Sequence, residues 1–322
     1  MIEWPPFSTD AFLAALAEAY FPGAKPGIVE CEGARYRTLV TPRGKPVSGV
    51  YAFPFYLEPL GPEAATGPAL HVPYLAEVVR AVTPVGETGP PWAAPSPFVD
   101  LSLFRTWDEV VASATPPQGV NSPKRVAQKA RQIGRELGPI EVQLDDRDEA
   151  AFETLIAWKS AQYARTWKSH RMTLPQNLDF HRELRRRGIF KVVAVRAGGR
   201  LVGGKVGLRE HGRSLWRITV YDPELSRFSP GSVVELLTLK ACFEAGDRDF
   251  DYLMGSEPYK FTFATHVRWV GNVGQEPRTD RWRRLGRMRV ARIATRSPGL
   301  YRQLKALERR TLELRRRVAR RA

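Results

Sequence analysis

The sequence predicts an α+β fold in which a mixed, mostly antiparallel sheet is flanked by helices. Two observations in the second half of the chain support this class: strands and helices follow one another in a mixed order, and a tight turn at Gly198-Gly199 joins two strands as a hairpin. Strands are predicted at 140–144, 190–196, 199–209, 214–221, 250–254 and 268–273, and helices at 149–166, 178–187 and 232–245.

We expect three units along the chain: residues 1–120, residues 121–277 and a tail at 278–322. The first unit has a helix at 10–20 capped by Thr9 or Ser8, strands at 36–40 and 49–57, a strand at 98–103 and a short helix at 107–113. Residues 83–97 hold five prolines and two glycines, which predicts a loop. Ser122-Pro123 then opens a helix that Gly138-Pro139 ends.

The composition is that of a folded protein, with 322 residues of which 43% are apolar. No run of 18 apolar residues could span a membrane, and the first 24 residues contain no lysine or arginine for a secretory signal. We therefore expect a cytoplasmic protein. The two cysteines, Cys31 and Cys242, and the scattered histidines show no metal-ligand spacing, so no metal site is expected.

Most of the positive charge is concentrated in the tail. Residues 278–322 hold 17 lysines and arginines against three acidic residues, whereas the other 277 residues carry a net charge of only +2. Such a tail could bind phosphates on tRNA or an anionic membrane surface, which would place the protein at the inner face of the membrane. Alternatively its helical seam packs on the rest of the protein or pairs two chains as a homodimer. The seam residues are Leu300, Leu304, Leu307, Thr311, Leu314 and Val318.

The most informative segment runs from Tyr221 to Lys260 and reads as a strand end, a loop, a helix, a second strand and a polar turn. The helix is preceded by Ser229-Pro230-Gly231, and Gly246 follows its end. A helix that starts in a loop of small residues presents free backbone N–H groups, which favour an anion such as a phosphate. The alternative is an ordinary helix cap with proline in the first turn.

This segment resembles the GNAT-like acyltransferases of the CelD type, which are similar in turn to Fem-type aminoacyl transferases. The resemblance rests on Y-D-P-x-x-x-x-x-S-P-G followed by D-x-D-Y-L-x-G-x-E-x-Y-K, and it covers residues 121–274. Phe263 stands where this family usually has tryptophan. The resemblance implies a GNAT fold in residues 121–277 and allows a degenerate GNAT-like unit in residues 1–120, as a tandem.

The resemblance further implies acyl-CoA as the co-substrate. The pyrophosphate would lie at Ser229, Gly231 and Ser232, with Arg227 adding a charge-assisted contact. The pantetheine arm would lie where the two motif strands splay apart, beside Val220 and Tyr221. The R/Q-x-x-G-x-G loop common in GNAT enzymes is absent from the sequence.

Direct acyl transfer needs a base for the acceptor proton and an acid for the leaving thiolate. Glu257 or Asp251 is a candidate base, Tyr259 a candidate acid, and Lys260 could hold an anionic substrate or the carbonyl oxygen. The alternative is that Glu257 and Lys260 form a solvated turn and Tyr259 anchors the core.

The acceptor wall would come from Tyr163, Trp167 and Lys168 at a helix end, although such aromatic residues more often belong to a core. We thus expect an acyltransferase that transfers an acyl group from acyl-CoA to an amine or hydroxyl of a cell-envelope sugar or precursor. Two alternatives are an aminoacyl-tRNA-dependent Fem-like transferase and a non-catalytic polyanion- or membrane-binding protein on a GNAT core.

Overall fold

The computed structural model describes residues 5–47, 55–90, 92–166 and 175–275. Its helices are α1 (Asp10–Tyr20), α2 (Trp107–Ala112), α3 (Pro123–Leu137), α4 (Glu149–Thr166), α5 (Pro175–Arg186) and α6 (Pro230–Glu244). Its strands are β1 (Lys25–Cys31), β2 (Ala34–Val40), β3 (Leu70–His71), β4 (Tyr74–Pro84), β5 (Ala94–Asp100), β6 (Ile140–Gln143), β7 (Phe190–Ala197), β8 (Arg200–Glu210), β9 (Arg213–Tyr221), β10 (Asp249–Asp251) and β11 (His266–Gly274).

Eight strands form one sheet in the order β4-β11-β5-β10-β9-β8-β7-β6. Within it β9 and β10 are parallel and the other six neighbouring pairs are antiparallel. This confirms the predicted α+β class with a mixed, mostly antiparallel sheet. A smaller sheet of β2, β1 and β3 lies in the N-terminal part of the chain.

Two hydrophobic clusters cover the two faces of the large sheet. One contains α1, α4 and α5 side chains such as Phe12, Phe152 and Phe180. The other contains α3 and α6 side chains such as Ile133 and Leu239. Helices on both faces bury a strand on both sides, which explains the nearly continuous apolar runs in β7.

Local sequence signals account for several helix boundaries. The Ser122 hydroxyl accepts a hydrogen bond from the backbone N–H of Arg125, Pro123 begins α3, and Gly138 adopts a φ of 108° just after its end. The prediction of α4 at 149–166 is confirmed at both ends. The helix predicted at 232–245 begins two residues earlier, at Pro230.

The loop predicted at 83–97 is wrong at both of its ends. Residues up to Pro84 belong to β4 and residues from Ala94 belong to β5, which lies between β11 and β10 in the sheet. Proline is tolerated there because the carbonyls of Pro95 and Pro97 accept from the N–H groups of Gly255 and Tyr252, on the side where β10 has already ended. The positions at which the prolines lack an N–H group therefore face the region beyond the end of β10, where regular strand pairing has stopped.

Strands from both sides of residue 120 share the large sheet, because β4 and β5 pair with β11 and β10. The described part of residues 1–274 forms one compact unit. The boundary at 120 and the tandem arrangement stay predictions. The predictions for residues 49–54, Trp167, Lys168 and the tail lie outside the described residues.

A buried network of charges joins the central strands. Arg268 of β11 donates to Asp251 at 2.6 Å and to Asp249 at 2.5 Å, and its guanidinium lies 3.6 Å from the ring centroid of Phe98. Asp251 is fully buried and also accepts from the Tyr56 hydroxyl at 2.5 Å. Each carboxylate is thus compensated, and the network connects segments that are far apart in the chain.

We predict that Arg268→Ala lowers the free energy of unfolding by about 3–5 kcal/mol, because it leaves the buried Asp251 carboxylate without its cation. Urea unfolding followed by circular dichroism measures the loss. The matched control is Arg182→Ala, which removes an exposed arginine paired with Glu153 at 2.9 Å and should cost less than about 1 kcal/mol. Equal losses in the two variants would contradict the structural importance of the network.

His181 of α5 makes stability depend on pH. Burial lowers its pKa from 6.5 to about 4, although its Nδ1–H donates to the carbonyl of Asn177. The unfolded chain therefore binds a proton between pH 6.5 and 4 that the folded protein does not, so the folded state loses stability as the pH falls through this window.

We predict that the wild type loses about 2 kcal/mol of unfolding free energy between pH 7 and pH 5 through this histidine. His181→Gln should abolish that part of the pH dependence, whereas exposed His211→Gln should keep it. Urea midpoints at the two pH values test the difference in slope, whatever the absolute stability of each variant. A His181→Gln protein that keeps the full slope would disprove the assignment.

Candidate active site

The candidate site lies where β9 and β10 diverge. The two strands pair in parallel from Arg213 to Leu215 only, and β10 ends at Asp251 while β9 continues to Tyr221. The strand predicted at 250–254 is therefore too long. Leu253 explains the early end, because it has a φ of 57° and turns the backbone out of the sheet.

A β-bulge on the other side of β9 increases the divergence. Val206 of β8 faces Ile218 and Gly207 faces Trp216, so that Arg217 is the additional residue. A bulge bends its strand and increases the local twist. Gly207 is required here because a Cβ atom would lie 2.8 Å from the Cα of Trp216.

The gap between the strands is a pocket of about 620 Å³. It is lined by α4 residues from one face of the sheet and by α3 and α6 residues from the other. This volume lies in the range of small-molecule and cofactor sites. The pocket therefore passes through the sheet, between β9 and the segment that follows β10, and reaches both faces.

The start of α6 forms part of the pocket wall through Gly231 and Ser232. Ser229, just before the helix, adopts a left-handed conformation with φ 52° and ψ 52°, which is uncommon for a residue other than glycine. A Cβ atom on Gly231 would lie 3.1 Å from the Tyr221 ring. Glycine keeps the helix start open beside this ring, as an anion that binds backbone N–H groups requires.

The pocket brings together seven of the residues that the sequence singled out. They are Tyr163, Tyr221, Gly231, Ser232, Glu257, Tyr259 and Lys260. Glu257 and Tyr259 belong to the turn after β10, as the motif indicated. Their roles stay predictions, but their proximity to the helix start is a property of the fold.

Four other candidates lie elsewhere. Asp251 is fully buried in the Arg268 network, and Val220 is buried in the hydrophobic core. Arg227 is exposed and pairs with Glu136 at 2.5 Å, in a shallow groove beside α3. Ser229 precedes the lining residues of α6 without lining the pocket itself. The position of Asp251 opposes a role as the base, because hydrogen bonds from the protein occupy both carboxylate oxygens.

Lys260 holds the turn that forms one wall of the pocket. Its ammonium donates to the carbonyls of Leu253 at 3.1 Å and Met254 at 2.9 Å, and lies 3.2 Å from a carboxylate oxygen of Glu257. Three partners match the three N–H donors of a lysine. Burial lowers the pKa of Lys260, and the Glu257 carboxylate opposes this shift. The lysine therefore holds the backbone of this turn in position. A sequence motif does not reveal this role.

Glu257 and Tyr259 are the more accessible groups of this turn. The Glu257 side chain is 51% exposed, and the Tyr259 side chain is also exposed. Burial of the phenol oxygen raises the pKa of Tyr259, and the carboxylates of Glu235 and Glu257 raise it further. The phenol therefore stays protonated near neutral pH, and its raised pKa makes it a weaker acid than a free tyrosine.

Sequence reasoning missed a buried ion pair in the pocket wall. Lys205 of β8 is 1% exposed, and its ammonium lies 2.7 Å from Glu235 of α6. The same ammonium lies 4.9 Å from the Phe250 ring centroid and 5.6 Å from that of Tyr252. The available signal was a single lysine in an apolar, glycine-rich strand and a single glutamate in an apolar stretch of helix.

Four buried polar atoms of the pocket wall have no hydrogen-bond partner within the described part of the chain. They are Trp216 Nε1, Glu235 Oε1, Tyr252 Oη and Thr262 Oγ1. Leaving such a group unsatisfied costs about 1–3 kcal/mol. A cavity lined by several of them is therefore suited to a polar guest.

The α4 wall of the pocket is also polar. Lys159 donates to the carbonyl of Thr219 at 3.1 Å and to Gln162 Oε1 at 3.0 Å, and its ammonium lies 4.9 Å from the Tyr163 ring centroid.

Within the ranges that the structure describes, no group of three or more His, Cys, Asp or Glu side chains could hold a metal ion. In the same ranges no helix is both long and apolar enough to cross a membrane.

Comparisons with known proteins agree with this fold. Residues 121–261 match the family model of the acetyltransferase (GNAT) domain. FemX superposes with a TM-score of 0.51 at 9% identity, over 86% of this chain and 93% of FemX. The C-terminal domain (DUF2156) of a protein described as a lysylphosphatidylglycerol synthetase, from Agrobacterium fabrum, has a TM-score of 0.47 at 11% identity, over 89% of this chain and 94% of its own. A search of curated proteins found no match.

The likeness to FemX is a likeness of fold. The family match itself shows a GNAT domain of the acyltransferase type at residues 121–261.

We predict that Lys260→Met lowers the free energy of unfolding by about 1–3 kcal/mol, because two backbone carbonyls lose their donor. Ligand binding in the pocket should weaken as well. Urea unfolding measures the first effect, and Glu257→Gln is the control that removes only the exposed partner. A Lys260→Met protein that is inactive but as stable as wild type would instead indicate direct contact with substrate.

Proposed function

We propose that the protein is an acyltransferase that uses acyl-CoA and transfers the acyl group directly to an amine or hydroxyl of its acceptor. One observation carries the proposal: the gap between β9 and the Tyr252–Met254 segment begins beside the open start of α6. An anion at the helix start and an extended arm in the gap would occupy this shape. The missing side chain of Gly231 supplies the room that a phosphate needs.

In the proposed reaction the acceptor attacks the thioester carbonyl, the carbon–sulfur bond breaks, and the thiolate leaves. Glu257 takes the proton of the acceptor, since its carboxylate is accessible from the pocket. Tyr259 donates its phenol proton to the sulfur as the carbon–sulfur bond breaks, since its side chain lines the pocket. Lys260 holds the turn that carries both groups.

The acceptor enters from the α4 side, beside Lys159, Gln162 and Tyr163. Trp167 and Lys168 follow α4 in the sequence and are proposed to extend this wall. The acceptor class, a cell-envelope sugar or precursor, rests on the resemblance to CelD-type acyltransferases. We also propose a cytoplasmic location at the membrane face, with residues 278–322 in contact with anionic lipid.

A second candidate is aminoacyl transfer from tRNA, which the surface of α3 favours. This helix carries five basic residues against one acidic residue, and its first turn lines the pocket. The basic residues are Lys124, Arg125, Lys129, Arg131 and Arg135. A phosphodiester backbone along α3 would lead a 3′ end into the pocket. In that case CoA should not compete, and binding should weaken steeply with salt.

We predict that acetyl-CoA and CoA bind the wild-type protein with micromolar affinity in calorimetric titrations. Gly231→Glu should abolish binding, because the new side chain displaces the Tyr221 ring and adds a negative charge at the phosphate position.

The matched control is Ser226→Glu, which adds the same charge at an exposed position outside the pocket. Binding that survives in Ser226→Glu and is lost in Gly231→Glu supports the site. If the wild type binds neither compound, the acyl-CoA proposal falls and charged tRNA becomes the donor to test.

A further inference from the structure

We propose that Lys205, Glu235, Trp216 and Tyr252 form a neutral hydrogen-bonding subsite for the arm of a phosphate-bearing ligand. The subsite binds a group that both donates and accepts hydrogen bonds, namely a hydroxyl or an amide, next to the phosphate bound at the start of α6. This inference rests on the proposed use of acyl-CoA, and it assigns side chains that contact the co-substrate.

The subsite depends on a buried ion pair. Glu235 is 7% exposed and Lys205 is 1% exposed, and both line the pocket. Their carboxylate and ammonium are 2.7 Å apart, so the pair is neutral as a unit. A third ionised group would be poorly placed beside such a pair, because it would have to lose its hydration without gaining a net opposite charge.

Glycine residues bring the two charged residues together. A Cβ atom on Gly203 would lie 2.8 Å from a methyl carbon of Val234, the residue before Glu235. Strand β8 thus admits α6 at close approach, two residues before Lys205. A glycine in a strand loses more conformational entropy on folding than other residues do. In return, the close approach of β8 and α6 places the ion pair at the pocket and not in solvent.

The unpartnered atoms give the subsite its chemistry. Glu235 Oε1 can only accept, Trp216 Nε1–H can only donate, and the Tyr252 hydroxyl can do either. None of the three has a hydrogen-bond partner in the part of the chain that the structure describes. A hydroxyl or an amide offers the complementary donor and acceptor in one small neutral group.

The distance to the helix start selects where this group lies on the ligand. Gly231 and Glu235 are four residues apart on α6, and both line the pocket. One helical turn of this kind spans about 6 Å along the axis. A phosphate at Gly231 would therefore be followed within a few bonds by the group at Glu235. In acyl-CoA the pyrophosphate is followed in this way by the hydroxyl and first amide of the pantetheine arm.

The test compares two fragments of CoA in calorimetric titrations: 4′-phosphopantetheine, which has phosphate and arm, and 3′,5′-ADP, which has phosphates without the arm. In Glu235→Gln the affinity for 4′-phosphopantetheine should fall by about 10- to 100-fold, the effect of losing a hydrogen bond to a charged acceptor. The affinity for 3′,5′-ADP should stay the same or increase, because the change removes a negative charge.

Two further variants guard against loss of the fold. The double variant Lys205→Met, Glu235→Leu replaces the pair by apolar side chains, which should leave stability nearly unchanged while the preference for 4′-phosphopantetheine is lost. Glu244→Gln removes an exposed carboxylate near the other end of α6, paired with Lys240 at 3.5 Å, and should alter neither affinity. Circular dichroism and urea unfolding accompany each titration.

The outcomes separate this inference from the proposed function. If the wild type binds CoA and both fragments but Glu235→Gln binds 4′-phosphopantetheine equally well, the subsite is disproved and acyl-CoA use stands. If Glu235→Gln weakens both fragments equally, the residue acts through the fold and the subsite is again disproved. If the wild type binds neither CoA nor the fragments, acyl-CoA use falls, and the subsite falls with it.

Discussion

The pairing of Arg268 with two buried aspartates is the interaction on which the site depends. Arg268 reaches from β11 to Asp249 and Asp251, which are the two ends of β10. Asp251 in turn accepts from the backbone N–H of Leu253 at 2.6 Å. This short contact bends the chain away from β9 directly after the last paired residue. Charged side chains inside the core thus determine where the sheet opens, and the removal of Arg268 would leave the buried Asp251 carboxylate uncompensated.

Two further constraints keep the gap open. Pro95 and Pro97 of β5 offer carbonyls but no N–H groups to the segment after β10, so the ladder cannot continue in regular form. Lys260 then binds the carbonyls of Leu253 and Met254, which the turn leaves without strand partners. Backbone groups that a regular sheet would pair are satisfied here by a side chain, and the adjacent edge of β9 remains available to a ligand.

The polar interior of the pocket lowers the stability of the folded protein. Burying Lys205 with Glu235 removes two charges from water, and replacement of such pairs by apolar residues is often neutral or stabilising. The unpartnered atoms of Trp216, Tyr252 and Thr262 add to that cost. Local departures of this kind from the most stable arrangement are typical of functional sites, and here they surround the proposed path of the ligand arm.

Much of the fold could be predicted because its signals are local. Ser122-Pro123 and Gly138 bound α3, and the small residues at Ser229-Pro230-Gly231 mark the start of α6. The turn with Glu257, Tyr259 and Lys260 was expected just beyond a strand end, and it follows β10 in the chain. Each of these features depends on side chains within a few residues of one another, so the sequence by itself determined them.

The tertiary structure decided which polar side chains face the pocket. Asp251 and Glu235 are both acidic residues in apolar surroundings, yet one is enclosed by Arg268 and by Tyr56, which is 195 residues away, and the other lines the cavity. Proline in residues 83–97 indicated a loop because its neighbours across the sheet were unknown. The position of a carboxylate relative to a cavity, and the tolerance of a strand for proline, depend on contacts between segments distant in the chain, which no local pattern contains.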